Sequence, residues 1–445
     1  MNRWLNPLGQ LWENLRSSLW FIPAVMVFGA VVLAIGLIET DVFVEREHLV
    51  NRWPRLFGGG AEGARGMLSA IASSMITVAG VAFSITIVAF ALASSQYSSR
   101  ILRNFMRDRA NQSVLGVFVG VFAYCLVVLR TIRGGDEGMF VPALAVLVAV
   151  LLAFVAIGCL IFFIHHVAAS IQAASIIQSA AQETLHAIDR LFPSELGEAA
   201  LDSEAPAPDL NGRTWMTVSS RATGYIQGID ADALLAVARD QNAILRMERG
   251  IGEFVIEAAP LASLSGQAFD EATAKRINAA YTLGRHRTIQ QDAGYGIRQI
   301  VDVALKALSP GINDTTTAII CIDFLGAILA RLAARQVETP FRSDGAELRI
   351  ITRGATFAGL LAESFDQIRH CAGGNVAVLA RMLEVLEVIA GRTADAPRCR
   401  AIGQQANLIT DTAEVSIRSA YDREIVKAAE QRLLMNLSKC QEVPR

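Results

Sequence analysis

Four apolar blocks, residues 19–38, 67–93, 113–129 and 140–164, occupy most of the first 170 positions, and none of them contains Lys, Arg, Asp or Glu. Each has about the 20 residues that a helix needs to cross a bilayer. Inside a hydrocarbon layer every backbone N–H and C=O must be paired within the protein, so blocks of this kind fold as helices. The first part of the chain therefore reads as an α-helical membrane protein with four N-terminal transmembrane helices. The composition agrees: 53% of the 445 residues are hydrophobic and 18% charged, against about a quarter charged in an average globular protein. A cleaved signal peptide does not fit the first block, which follows an amphipathic lead bearing Trp4, Trp12 and Trp20 and has no small-residue cleavage site.

Orientation follows from arginine, which accumulates in cytoplasmic loops. The loop after the second block carries Arg100, Arg103, Arg107 and Arg109 against Asp108 alone, while the loop after the first block balances its arginines with Glu39, Asp41, Glu45, Glu47 and Glu62. The second loop is expected inside and the first outside. This gives a multi-pass protein of the bacterial inner (plasma) membrane, in contact with the lipid bilayer and with both termini cytoplasmic.

Beyond the blocks, helical spacing continues to residue 192, so residues 1–192 are expected to form a transmembrane domain with a cytoplasmic helical extension. Residues 193–212 are rich in Pro, Ala and acidic side chains and read as a linker. Residues 213–266 alternate short β-type runs with Gly, Asp and Asn, as a small β-rich module with one short helix does. Residues 267–445 read as a helical cytoplasmic domain, with helical stretches at 274–283, 295–308, 315–334, 356–370, 376–389 and 411–437 and one strand candidate, AELRIITR. The C-terminal region is thus α+β and mostly helical.

Several kinds of chemistry are disfavoured. The net charge of −2 offers no basic stripe for nucleic acid. The six cysteines have no metal spacing, and no cofactor motif appears. The glycine-rich run at residues 58–66 follows no strand and precedes no Lys-Ser/Thr, so it reads as a flexible turn and not a phosphate loop. Nothing assembles a nucleophile, a base and an oxyanion donor, so the chain is not read as an enzyme.

Two groups of residues remain as candidates. Ser73, Thr77, Gly80 and Ser84 share one face of the second block, and Gly116, Gly120 and Tyr124 share one of the third; such faces pack helices or line a wet path. In the C-terminal region Arg285, His286, Arg287, Asp292, Arg298 and Asp302 precede ALSPGINDTTTA, which holds Ser309, Gly311, Asn313 and Asp314. Here Pro310 ends one helix, Gly311 can take a positive φ, and Asn313 or Asp314 caps the next helix. The same residues also read as an anion-binding or inter-subunit site, with the helix N–H groups and the basic cluster converging on a small anionic ligand. Asp292, Asp302, Asn313 and Asp314 supply oxygens but no metal-loop spacing, so no metal is assigned.

The segments SSQYSSRILRNFMRDRANQSVLGVFVGVFAYCLVVLRT and RHRTIQQDAGYGIRQIVDVALKALSPGINDTTTA resemble the bacterial membrane proteins grouped as domain-of-unknown-function family 2254. The resemblance implies a multi-pass inner-membrane protein with a cytoplasmic C-terminal part, and carries no established activity or catalytic residue. Family members often have Pro after the Asn-Asp pair, where this chain has Thr315.

Spans without charge, a small polar face and a large soluble part lead to the expectation of a homo-oligomeric channel or channel-like protein with a cytoplasmic regulatory domain. The alternatives are a membrane-anchored sensor or scaffold that binds an anionic ligand or protein partner, and a membrane enzyme acting on a lipid or envelope precursor.

Overall fold

A computed structural model describes residues 20–43, 60–96, 108–133, 140–170, 172–191, 210, 212–266, 269–289, 291–335, 340–344 and 347–441. The amphipathic lead with Trp4 and Trp12, residues 44–59 and 97–107 of the two arginine-bearing loops and nearly all of the expected linker lie outside these residues. The chain divides into two compact units, residues 1–175 and 176–445.

Among the described residues the first unit has four helices: α1 (Phe21–Phe43), α2 (Ala61–Gln96), α3 (Arg109–Thr131) and α4 (Ala143–Ser170). Helix α2 begins within the glycine-rich run, so Gly63 and Gly66 are helical and the expected turn is shorter than that run. Helix α3 packs against each of the other three and buries Phe118, Tyr124 and Val128 completely. The other helices keep large apolar side chains on the outside, with Phe28 71%, Phe154 68% and Ile161 67% exposed. An apolar shell this wide is what a bilayer covers.

Side chains from distant segments close the helix ends. The Asp41 carboxylate accepts the backbone N–H groups of Leu144 and Ala145, both at 3.1 Å, and so caps α4 from α1. The Arg65 guanidinium donates to the Ile132 carbonyl at 2.7 Å beyond the C-terminus of α3. At the opposite end Asp108 caps α3 and meets His166 Nε2 at 2.5 Å, and that imidazole stacks on Phe162.

The second unit is α+β. After α5 (Ala173–Leu191) come β1 (Trp215–Ser219), β2 (Gly224–Ile229), α6 (Ala231–Asp240), β3 (Leu245–Met247), β4 (Phe254–Val255) and β5 (Pro260–Ser265). Next are α7 (Glu271–Ala279), β6 (Tyr281–Gly284), α8 (Ala293–Ala307), α9 (Thr315–Ala333), β7 (Phe341–Ser343) and β8 (Leu348–Ile351). Helices α10 (Phe357–Cys371), α11 (Val376–Ala390), α12 (Ala396–Ser416) and α13 (Ala420–Gln441) complete it. One sheet has the order β1-β5-β3-β8-β7, with β3 and β8 parallel, and the other the order β4-β2-β6. They share a core of Ile226, Leu234, Leu245, Leu261 and Ile277.

Both sheets recruit strands from beyond residue 266. The stretch read as helical over 274–283 is instead a helix that stops at Ala279 and a strand, because Tyr281 to Gly284 occupies the edge of β2. The final helical stretch is also two helices, α12 and α13. Ile417 and Arg418 break between them, and Arg423 Nη1 donates to both of their carbonyls, at 2.6 and 3.0 Å.

Among the described residues five helices, not four, are long and apolar enough to cross a membrane: the fifth is Thr315–Ala333, which is α9. Helix α9 packs against α8, α10 and α11 and buries Cys321, Ile322, Leu325, Ile328, Leu329 and Leu332. A helix covered on several sides is apolar nearly all round.

Candidate functional site

Helix α2 packs on α3 through Leu68, Ala72, Met75, Ala79 and Ala82, a stripe of mostly small buried residues. Ser73, Thr77, Gly80 and Ser84 lie one or two positions further along, on the side of the helix roughly opposite that stripe, and all four are exposed. A Cβ on Gly80 would meet nothing within 4 Å. The polar face therefore takes no part in packing within its own unit. Thr77 donates its hydroxyl to the Ser73 carbonyl at 2.8 Å and Thr86 donates to Ala82 at 2.8 Å, so these side chains bond within the helix and their oxygens can still accept.

The glycines of α3 do different work. A Cβ on Gly116 would stand 2.5 Å from Met26 Sδ and 3.2 Å from Pro23 Cα, and one on Gly120 would stand 3.6 Å from Ala30 Cβ. These glycines bring α1 into backbone contact with α3, as small residues do between membrane helices. Tyr124 is fully buried and donates its hydroxyl to the Ala145 carbonyl at 2.8 Å, joining α3 to α4.

In the second unit the candidate residues separate into two groups at opposite ends of α8. The helix has 15 residues and is about 22 Å long at 1.5 Å per residue. At its N-terminal end Arg287 pairs with Asp292, Nε to Oδ2 at 2.8 Å and Nη2 to Oδ1 at 3.1 Å, while Asp292 Oδ1 accepts the Tyr295 N–H at 3.0 Å as the helix cap. Burial works against the Arg287 charge, but the hydrogen bonds and charge of Asp292 outweigh it and raise the guanidinium's pKa. Gly252, at φ +83°, lets the chain approach this pair; a Cβ there would lie 3.1 Å from Arg287 Nε. Arg285 and His286 are exposed alongside it. Arg298 and Asp302 pair along α8 at 2.8 Å.

Sequence reasoning passed over Glu363 on α10. Its Oε2 lies 3.2 Å from where a Gly294 Cβ would stand, so it reaches the same helix end. Burial raises its carboxyl pKa; Arg287 pulls it down and Asp292 pushes it up again, with a net rise. The only local hint was an acidic residue in the polar gap of an otherwise apolar helical run.

At the other end Asp314 caps α9, its Oδ1 accepting the Thr317 N–H at 3.0 Å and its Oδ2 the Thr317 hydroxyl at 2.5 Å. These two bonds hold its carboxyl below the usual range. The left-handed residue is Asn313, at φ 49°, and not Gly311. Ser309 accepts the N–H groups of Ile312 and Asn313 and donates its hydroxyl to Lys306. The Thr315 hydroxyl accepts from Asn375 Nδ2 at 2.8 Å. The basic cluster and this cap do not converge. Among the described residues no group of three or more His, Cys, Asp or Glu is placed to hold a metal.

The family model described as "Predicted membrane protein (DUF2254)" matches residues 16–388. The chain belongs to that family. Uncharacterized proteins of Mycobacterium bovis and of two strains of Mycobacterium tuberculosis are 32% identical to it over 440 residues, covering 96% of this chain and 82% of each relative. No solved structure matches. The family match takes in all four helices of the first unit and both ends of α8.

Proposed function

We propose that the protein is a homo-oligomeric, channel-like protein of the bacterial inner membrane, with four crossing helices, both termini cytoplasmic and the second unit as a cytoplasmic regulatory domain. The observation that carries this reading is the outward face of α2. Ser73, Thr77, Gly80 and Ser84 are exposed while the opposite alanine stripe takes the packing on α3. That face points away from α3, so a path lined by it requires further copies of the chain. Hydroxyls and backbone carbonyls suffice to line such a path without charges. Helix α9 is assigned to the interior of the second unit and not to the membrane, on the strength of its packing there.

The test is thiol accessibility during ion flux through the reconstituted protein. A cationic thiol reagent is expected to reduce flux through Ser84→Cys and Thr77→Cys and to leave Phe154→Cys, on the apolar outside of α4, unaffected. Equal effects at all three positions, or flux that none of them alters, would sink the assignment of α2 to the path.

A second reading, a membrane-anchored sensor or scaffold, is favoured by the exposure of Arg285 and His286 beside the Arg287–Asp292 pair. It predicts that inorganic phosphate raises the thermal midpoint of the wild type and not that of an Arg285→Ala/His286→Ala variant. No shift in the wild type removes this reading.

A further inference from the structure

We draw no further inference here: the strongest candidate, the exposed apolar stripe of Tyr421, Ile425 and Met435 along the outer face of α13, is an unpartnered helix face, and nothing in the structure shows what covers it.

Discussion

Arg287 holds Asp292 through two hydrogen bonds, at 2.8 and 3.1 Å, and the same carboxylate caps α8. Asp292 is 8% exposed. Removing it leaves the guanidinium half-buried without its partner and the helix end without a cap. Asp292→Ala is expected to cost roughly 3 kcal/mol, at the lower end for a buried pair because Arg287 keeps some contact with water. Asp292→Asn, which keeps an acceptor, should cost less. Denaturant titration of both variants checks the ranking, and equal losses would show that the charge paired with Arg287, and not the cap, carries the contribution.

Asp314 separates a cap from a site. If its contribution is the pair of bonds to Thr317, Asp314→Ala should cost about 1 kcal/mol and Asp314→Ser only a fraction of that. Asn313→Gly should be tolerated, because φ 49° suits glycine, whereas Asn313→Val should lose roughly 1–2 kcal/mol. The carboxyl is held below its ordinary 3.8. Its stabilisation is therefore fully present above pH 3.8 and is lost as pH falls through the lower folded value. Acid unfolding followed by circular dichroism should show Asp314→Ser differing least from the wild type in strong acid.

Glu363 has the opposite sign. Its folded pKa is raised above the ordinary 4.5, so the folded protein binds its proton more tightly than the unfolded chain does. At neutral pH the ionised carboxylate works against the fold, and that cost fades as pH falls through the raised value toward 4.5. Glu363→Gln is expected to melt above the wild type at pH 7, with the gap closing as the pH approaches 4.5. A Gln variant that melts lower at pH 7 would mean that attraction to Arg287 outweighs burial.

The two glycines of α3 should respond differently to alanine. At Gly120 the added Cβ finds ordinary contact at 3.6 Å, whereas at Gly116 it meets Met26 and the Pro23 backbone. Gly120→Ala should be nearly neutral, and Gly116→Ala should destabilise by roughly 1–3 kcal/mol through overpacking. Thermal melts in detergent distinguish them.

Patterns that repeat within one segment translated directly into structure. The four apolar blocks became α1 to α4, and the 3.6 period over 295–308, 315–334, 356–370 and 376–389 marks helices within two residues of their ends. Relationships between distant segments had no local signal. Nothing near Asp41 indicates that it caps a helix a hundred residues later, and nothing in YTLG indicates that β2 offers it an edge. Helix α12 was missed up to residue 410 because it is polar overall, although Ile402, Ala406, Ile409 and Ala413 form its buried face and Asp395-Ala396-Pro397 is a helix start. For the candidate site, local spacing found both groups of charged residues, but only the length of α8 shows that they are apart.

The central claim is that α2 turns its hydroxyl face toward other copies of the chain, and the most direct measurement is the mass of the protein in native nanodiscs. One chain is 47.9 kDa. The account predicts a closed ring of three or more chains. A particle with a single chain would contradict it, because one unit centred on α3 cannot bring Ser73, Thr77 and Ser84 around a common axis.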